Sequence, residues 1–266
     1  MDLNVVQNSL LIALLLAIEG SLVGVFLLVR RYSLLADALA HFSLVGAALG
    51  VFFGFSSLLG GVFAALTGGV ILEALRYKEN AFTDANLALI SAGGLSLALI
   101  IASLRGEVWQ SLGQYLFGSI LFAGEKELIW AVITFLGVLL FLMFYSRHLL
   151  LLSVDPAGAK SQGIKVRFNE FFLIILATIV VSFGIQAVGA LLTGAFLVLP
   201  ALIGIELARS FTGLIFWAVT VGLFMAVAGI IFTFFLNLPP GATIVATGVL
   251  IYILVVSGKK LGKRGN

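Results

Sequence analysis

The sequence predicts an all-α polytopic membrane protein with about nine transmembrane helices (eight to nine), an external N-terminus and an internal C-terminus. Its composition is the first observation: 62% of the residues are hydrophobic and 10% are charged, whereas a soluble domain carries about 25% charged residues. The second is a series of long apolar runs, and the third is the unequal distribution of basic residues between the connections. A single transmembrane domain over residues 1–266 accounts for all three.

The apolar runs define the spans, because roughly 20 residues of helix are needed to cross the hydrocarbon core. A cleaved signal peptide is not expected, since no basic segment precedes Leu10 and Glu19 interrupts the first run. The predicted spans are about 9–29, 34–54, 58–75, 85–104, 128–146, 170–189, 191–208, 213–236 and 242–258.

The basic residues give the orientation, because Lys and Arg concentrate in internal connections. With an external N-terminus, thirteen basic residues fall inside and only Arg105 and Lys126 fall outside. The same bias explains the net charge of +3 without a nucleic-acid partner. With no cysteine in the chain, disulfides, thiolate metal sites and thiol nucleophiles are excluded.

The internal stretch 147–169 contains the pattern of a short helix. Asp155 is a suitable N-cap, Pro156 fits the first helical position, and Gly163 can adopt the left-handed conformation that ends a helix. A two-turn helix is marginal in water, so we expect it to pack on a soluble partner. Gly158-Ala-Lys-Ser161 lacks the Gly that a phosphate-binding loop needs before its Lys, and ATP hydrolysis therefore requires a second polypeptide.

The run from Phe171 to Ala208 is too long for one span, and we expect interruptions at Gly184, Gly189, Gly194 and Pro200. Broken helices at membrane depth persist where they are packed in protein or line a cavity. Gly189, Gly194 and Pro200 are therefore candidate residues of a pathway wall. Elsewhere, small residues at four-residue spacing predict close helix packing, at Gly20/Gly24 and at Gly46/Gly50/Gly54.

Asp37 and His41 are the main candidate metal ligands. Their spacing of four places a carboxylate and an imidazole on one helix face, and charged groups at this depth cost at least about 2.5–3.5 kcal/mol each. Oxygen and nitrogen together suit divalent Zn, Mn or Fe. Two ligands do not complete a site, so a symmetric dimer or other helices must supply the rest. The alternative is a hydrogen-bonded Asp-His pair within the helix.

Other ionisable residues receive simpler interpretations. Glu19 lies in the middle of the first span and either faces the same pathway or bonds to a neighbouring helix. Glu73 with Arg76, and Glu206 with Arg209, have the spacing of local ion pairs. His148 is expected at headgroup level. Glu107, Glu125 and Glu127 are expected in a solvated external stretch over about 105–127; the alternatives are that they orient an external partner protein or that this stretch is re-entrant.

The chain resembles the zinc/manganese/iron permeases of ABC importers, over nearly its whole length. Five segments in family order carry the resemblance: Leu-Val-Arg-Arg-Tyr-Ser-Leu-Leu-Ala-Asp-Ala-Leu-Ala-His (28–41), Tyr-Leu-Phe-Gly-Ser-Ile-Leu (115–121), Asp155…Ala159…Gly163, Val-Gly-Ala-Leu-Leu…Leu-Pro-Ala (188–201) and Leu-Pro-Pro-Gly-Ala-Thr-Ile (238–244). The chain departs from the family pattern at Gly158, where a bulkier residue is expected, and at Phe42 and Val45.

The resemblance implies a multi-pass subunit of the cell (inner) membrane, working as a homodimer with an ATP-binding subunit and an extracytoplasmic metal-binding receptor. It implies that Asp37 and His41 touch the transported ion, zinc first or else manganese or iron, and that no resident cofactor is needed. It also implies that the short helix docks on the ATPase through Asp155, Pro156, Ala159, Lys160 and Gly163. Import by alternating access is the expected mechanism.

Three other functions compete with this expectation. A permease for a larger metal chelate, such as cobalamin or a siderophore, needs a large polar cavity lining, and a single Asp-His pair is too small to provide it. A secondary transporter driven by ion gradients would work without an ATPase. An intramembrane enzyme is disfavoured, because no HExxH motif is present.

Overall fold

The computed structural model describes residues 3–30, 32–79, 84–117 and 124–264, and within them the chain forms helices without strands. Nine helices in this part are long and apolar enough to span a membrane, which confirms the predicted fold class. The remaining two, α5 and α7, are short. The helices are α1 (Leu3–Val29), α2 (Leu35–Phe52), α3 (Ser57–Glu79), α4 (Asp84–Leu104), α5 (Gly106–Phe117), α6 (Glu125–Val154), α7 (Pro156–Ser161), α8 (Val166–Val188), α9 (Ala190–Leu207), α10 (Phe211–Leu236) and α11 (Pro240–Arg264).

The helices pack in two groups around α1. One core joins α2, α4 and α8 to the C-terminal half of α1, and the other joins α9, α10 and α11 to its N-terminal half. Two of the predicted small-residue contacts are close backbone approaches: Gly24 lies against the backbone of Leu197, and Gly46 lies against Gly60. Gly54 does not make such a contact, because it sits in the turn after α2 with a φ of 79°.

Of the four helix interruptions predicted between Phe171 and Ala208, the structure has one. Gly189, with φ 91° and ψ 160°, ends α8 and begins α9. Gly184 lies inside α8, and α9 continues through Gly194 and Pro200. The expected interruptions at these three positions were wrong, since a proline within a helix removes one hydrogen bond and neighbouring helices can hold the helix together.

Helix α5 lies in the stretch that was expected to be external and solvated. Its buried side chains, Val108 and Tyr115, belong to the same core as α2 and α8, and the Tyr115 hydroxyl is 3.3 Å from that of Ser43 on α2. Burial raises the pKa of the Tyr115 phenol, which therefore stays neutral. The segment 115–121 that helped to carry the resemblance extends beyond Phe117 into residues outside the described part.

The connection between α6 and α8 is mostly helical. α6 continues to Val154, eight residues past its predicted end at 146, and α8 begins at Val166, four residues before the predicted 170. Only α7 and a few flanking residues separate them. The predicted loop of 147–169 is thus a short helix held between the ends of two long ones.

Candidate functional site

Asp37 and His41 lie in the first two turns of α2, as their spacing predicts. His41 Nε2 is 3.5 Å from Asp37 Oδ1. This separation is longer than a good N–H···O hydrogen bond, which spans about 2.7–3.2 Å. Two ligands bound to one tetrahedral ion at about 2.0–2.2 Å have donor atoms about 3.4 Å apart. The spacing thus allows both side chains to be ligands of one ion, and the imidazole also interacts directly with the Asp37 carboxylate.

The two side chains differ in exposure. The imidazole of His41 is 15% exposed, and the carboxylate of Asp37 is 55% exposed. His41 Nδ1 is buried and has no hydrogen-bond partner among the described residues. The exposed Asp37 carboxylate lies on an apolar helix, where lipid would not solvate it. It therefore needs water, a cation or another chain beside it.

Helix α4 forms one wall of this site. Ser91 lies beside the Asp37 carboxylate, and Gly94 lies against the backbone and Cβ of His41, where a methyl group would come within 3.1 Å of that Cβ. Gly94 thus allows α4 to approach α2 at the imidazole. Sequence reasoning missed both residues, because nothing in the pattern of α4 indicates which of its small residues faces α2.

The described part of one chain contains no group of three or more His, Cys, Asp or Glu side chains that could hold a metal ion. Glu19, which was a third candidate ligand, is fully buried on α1. Its Oε1 accepts a 3.4 Å hydrogen bond from Thr134 on α6. The structure therefore brings Asp37 and His41 together and leaves Glu19 apart from them.

Helix α7 has the capping that its sequence predicts. The Asp155 carboxylate accepts a 2.9 Å hydrogen bond from the backbone N–H of Gly158, and Gly163 has a φ of 79° just after the helix. Ala159 is completely buried, whereas Lys160 is exposed. One small apolar residue thus fixes α7 against the bundle, while its charged face remains free to meet a partner.

One of the two expected local ion pairs is replaced by a pair between helices. Glu206 pairs with Lys259 on α11 at 3.1 Å, and not with Arg209. Glu73 interacts with Arg30 and Arg167; the side chain of Arg76 lies outside the described part.

Arg30, at the end of α1, also forms an ion pair with Glu170 on α8, and these two side chains are 8% and 13% exposed. No local spacing could have revealed this pair, since its members are 140 residues apart.

The chain is similar to known proteins in both sequence and structure. The sequence model of the ABC 3 transport family matches residues 2–259. The manganese import system permease protein ScaB of Streptococcus gordonii is 29% identical over 95% of this chain and 91% of its own length. The high-affinity zinc uptake system membrane protein ZnuB of Haemophilus influenzae is 27% identical, over 92% and 94%. The solved structure of PsaBC from Streptococcus pneumoniae, in complex with Fab, superposes with a TM-score of 0.82 at 28% identity, covering 96% of this chain and 91% of that one.

Proposed function

The chain belongs to the ABC 3 transport family, and we propose that it is the membrane-spanning permease subunit of an ATP-driven importer for divalent metal ions. It is a multi-pass protein of the cell membrane, with nine apolar helices in its described part. The names of its relatives, which include manganese and zinc uptake permeases, support a metal as the transported substrate.

The observation that carries the proposal is the pair formed by Asp37 and His41. Their donor atoms are 3.5 Å apart, and the carboxylate is more than half exposed. One chain supplies two ligands, so a homodimer related by a two-fold axis would supply four. Four ligands of mixed oxygen and nitrogen type suit zinc, our first candidate, while manganese and iron accept the same ligand types. In this proposal the ion binds only transiently, because it is the transported substrate and not a resident cofactor.

Coupling to ATP is assigned to α7. The basic residues favour an internal position for this helix and for the C-terminus. There α7 would dock on a separate ATP-binding subunit through Asp155, Ala159, Lys160 and Gly163, with Pro156 starting the helix. An external metal-binding receptor would deliver the ion. Closure of the ATPases would then shift the permease between inward-facing and outward-facing states, whose free energies must lie close together.

A second candidate function, transport of a metal chelate, would require a larger polar surface than Asp37 and His41 provide. An ion-gradient-driven carrier would not need α7 to bind an ATPase. Gly189, Gly194 and Pro200 remain proposed pathway residues on the α8–α9 segment, and Glu19 becomes a residue of the α1–α6 contact and not a ligand.

The test is metal uptake by cells that express the permease with its ATP-binding subunit. Asp37→Asn and His41→Ala are compared with Glu206→Gln and His148→Ala, which alter an exposed acid and the other histidine of the chain. We expect both site variants to lower uptake by at least about tenfold, the smallest effect typical of disturbing a metal site. Assembly with the ATPase should be unchanged. Normal uptake in both site variants, or uptake without the ATP-binding subunit, would contradict the proposal.

Competition between zinc, manganese and iron in the same cells identifies the cargo. If zinc is carried, labelled zinc should accumulate even in the presence of excess manganese or iron, and rescue of a transport-deficient strain should require zinc alone.

A further inference from the structure

A cavity of about 580 Å³ lies between the C-terminal half of α3 and the first turns of α8. Its apolar wall consists of Val70 and Ala74, one turn apart on α3, and of Phe168 and Phe171 on α8. Val70 and Phe168 are 44% and 48% exposed. The volume is within the range of about 300–1,000 Å³ that small-molecule sites occupy, and apolar walls of this kind fit a hydrocarbon chain.

The other wall of the cavity is charged. Lys165 and Arg167, both with exposed side chains, lie at its rim together with Glu73. Lys165 and Arg167 are two cations facing one carboxylate, that of Glu73, which also interacts with Arg30. The rim therefore has a surplus of positive charge, directly beside an apolar surface.

The backbone adds hydrogen-bond donors to this rim. Lys165 is the N-cap residue of α8, and its side chain does not cap the helix. The first N–H groups of a helix have no partner within the helix, and they attract anions through the helix dipole. Two residues with cationic side chains and the N-terminus of a 23-residue helix thus lie at one edge of the cavity.

We propose that this cavity binds an anionic phospholipid. The phosphate would lie between Lys165 and Arg167, and one acyl chain would cover the apolar wall. Basic pockets between transmembrane helices on the cytoplasmic side bind anionic headgroups in this way. Free phosphate would leave the phenyl rings in water, whereas a zwitterionic lipid would bring its own cation against Lys165. An anionic lipid matches both parts of the cavity, because its phosphate pairs with the basic rim and its acyl chain covers the apolar wall.

Such a lipid would have a mechanical consequence. It would join α3 to the start of α8, and Lys165 is only four residues beyond the last residue of α7. The position of the helix that docks on the ATPase would then depend on the lipid. The binding itself does not require a transported metal or an ATPase.

The experiment measures lipid retained by the purified permease in native mass spectrometry, after reconstitution in nanodiscs of phosphatidylcholine with phosphatidylglycerol. Lys165→Ala and Arg167→Gln remove the cations from the rim. Val70→Trp fills the cavity and keeps both cations. Arg147→Gln is the matched control, because it removes an exposed cation of the neighbouring helix α6 that does not line the cavity.

We expect the wild type and Arg147→Gln to retain phosphatidylglycerol in preference to phosphatidylcholine. Each rim substitution should weaken retention about fivefold, and Val70→Trp should abolish the preference. Equal retention in wild type and rim variants, an equal loss in Arg147→Gln, or an unchanged preference in Val70→Trp would each overturn the proposal. Release of the bound phosphatidylglycerol when the ATP-binding subunit is added to the nanodiscs would also overturn it, because that result would assign this surface to the subunit. Since no metal or nucleotide is added, these results are independent of the test of transport.

Discussion

Substituting Gly24 by Ala should destabilise the bundle, because α1 and α9 are in backbone contact at this point. A Cβ on Gly24 would overlap the carbonyl oxygen of Leu197, and it would lie 2.8 Å from the carbonyl carbon and 3.1 Å from the Cα. Favourable carbon–carbon contacts need about 3.5–4.0 Å, so the two helices must separate by close to 1 Å. No flexible side chain can move aside to prevent this.

Overpacking of this kind costs about 1–3 kcal/mol, while replacing a helical Gly by Ala returns up to about 1 kcal/mol. We therefore expect a net loss of about 1–2 kcal/mol in the free energy of unfolding, after both effects are combined. Gly194→Ala on α9 is the control, since a Cβ at that position meets no atom within 4 Å. It should be neutral or stabilising.

The assay is thermal unfolding of the purified variants in one detergent, followed by fluorescence and by loss of monodisperse protein. A loss of about 1–2 kcal/mol corresponds to a decrease in Tm of a few degrees for a chain of this size. If Gly24→Ala unfolds at or above the wild-type temperature, or if Gly194→Ala loses as much, the inferred backbone contact is wrong.

Three more substitutions test other contacts. Glu170→Gln should cost about 1–3 kcal/mol in chemical unfolding, because it removes one of the two carboxylates that face the buried Arg30 and leaves Glu73 as the other. Arg30→Met/Glu170→Met should recover part of this loss, and purely additive losses would argue against the pair. Gly61→Ala would make a methyl group overlap the Tyr115 hydroxyl, and it should lower the free energy of unfolding by about 1–3 kcal/mol. Adding Tyr115→Phe removes the hydroxyl and should restore thermal stability. If the double variant unfolds at the same temperature as Gly61→Ala, the contact is refuted. Gly163→Ala should strain the left-handed turn by about 1–2 kcal/mol and reduce co-purification of the ATP-binding subunit; undiminished binding would remove this turn from the docking element.

Local patterns in the sequence were sufficient for the spans and for α7. The span predicted over 34–54 became Leu35–Phe52, and that over 213–236 became Phe211–Leu236, because apolar length and helix-ending residues act within a few turns. The cap of Asp155 on α7 is likewise a contact between residues three apart. Asp37 and His41 could be paired from the sequence for the same reason, since a spacing of four fixes their shared face.

Contacts between distant elements needed the tertiary structure. Glu206 has Arg209 three residues away, yet its partner is Lys259, because α9 and α11 bring these side chains together. Glu19 accepts a hydrogen bond from Thr134 on α6, and two side chains of α5 pack into the core formed by α2 and α8. The sequence by itself determined which segments enter the membrane and which residues share a helix face. Only the packing of the helices decided which faces meet, because side-chain partners are chosen by interhelical geometry that no local spacing encodes.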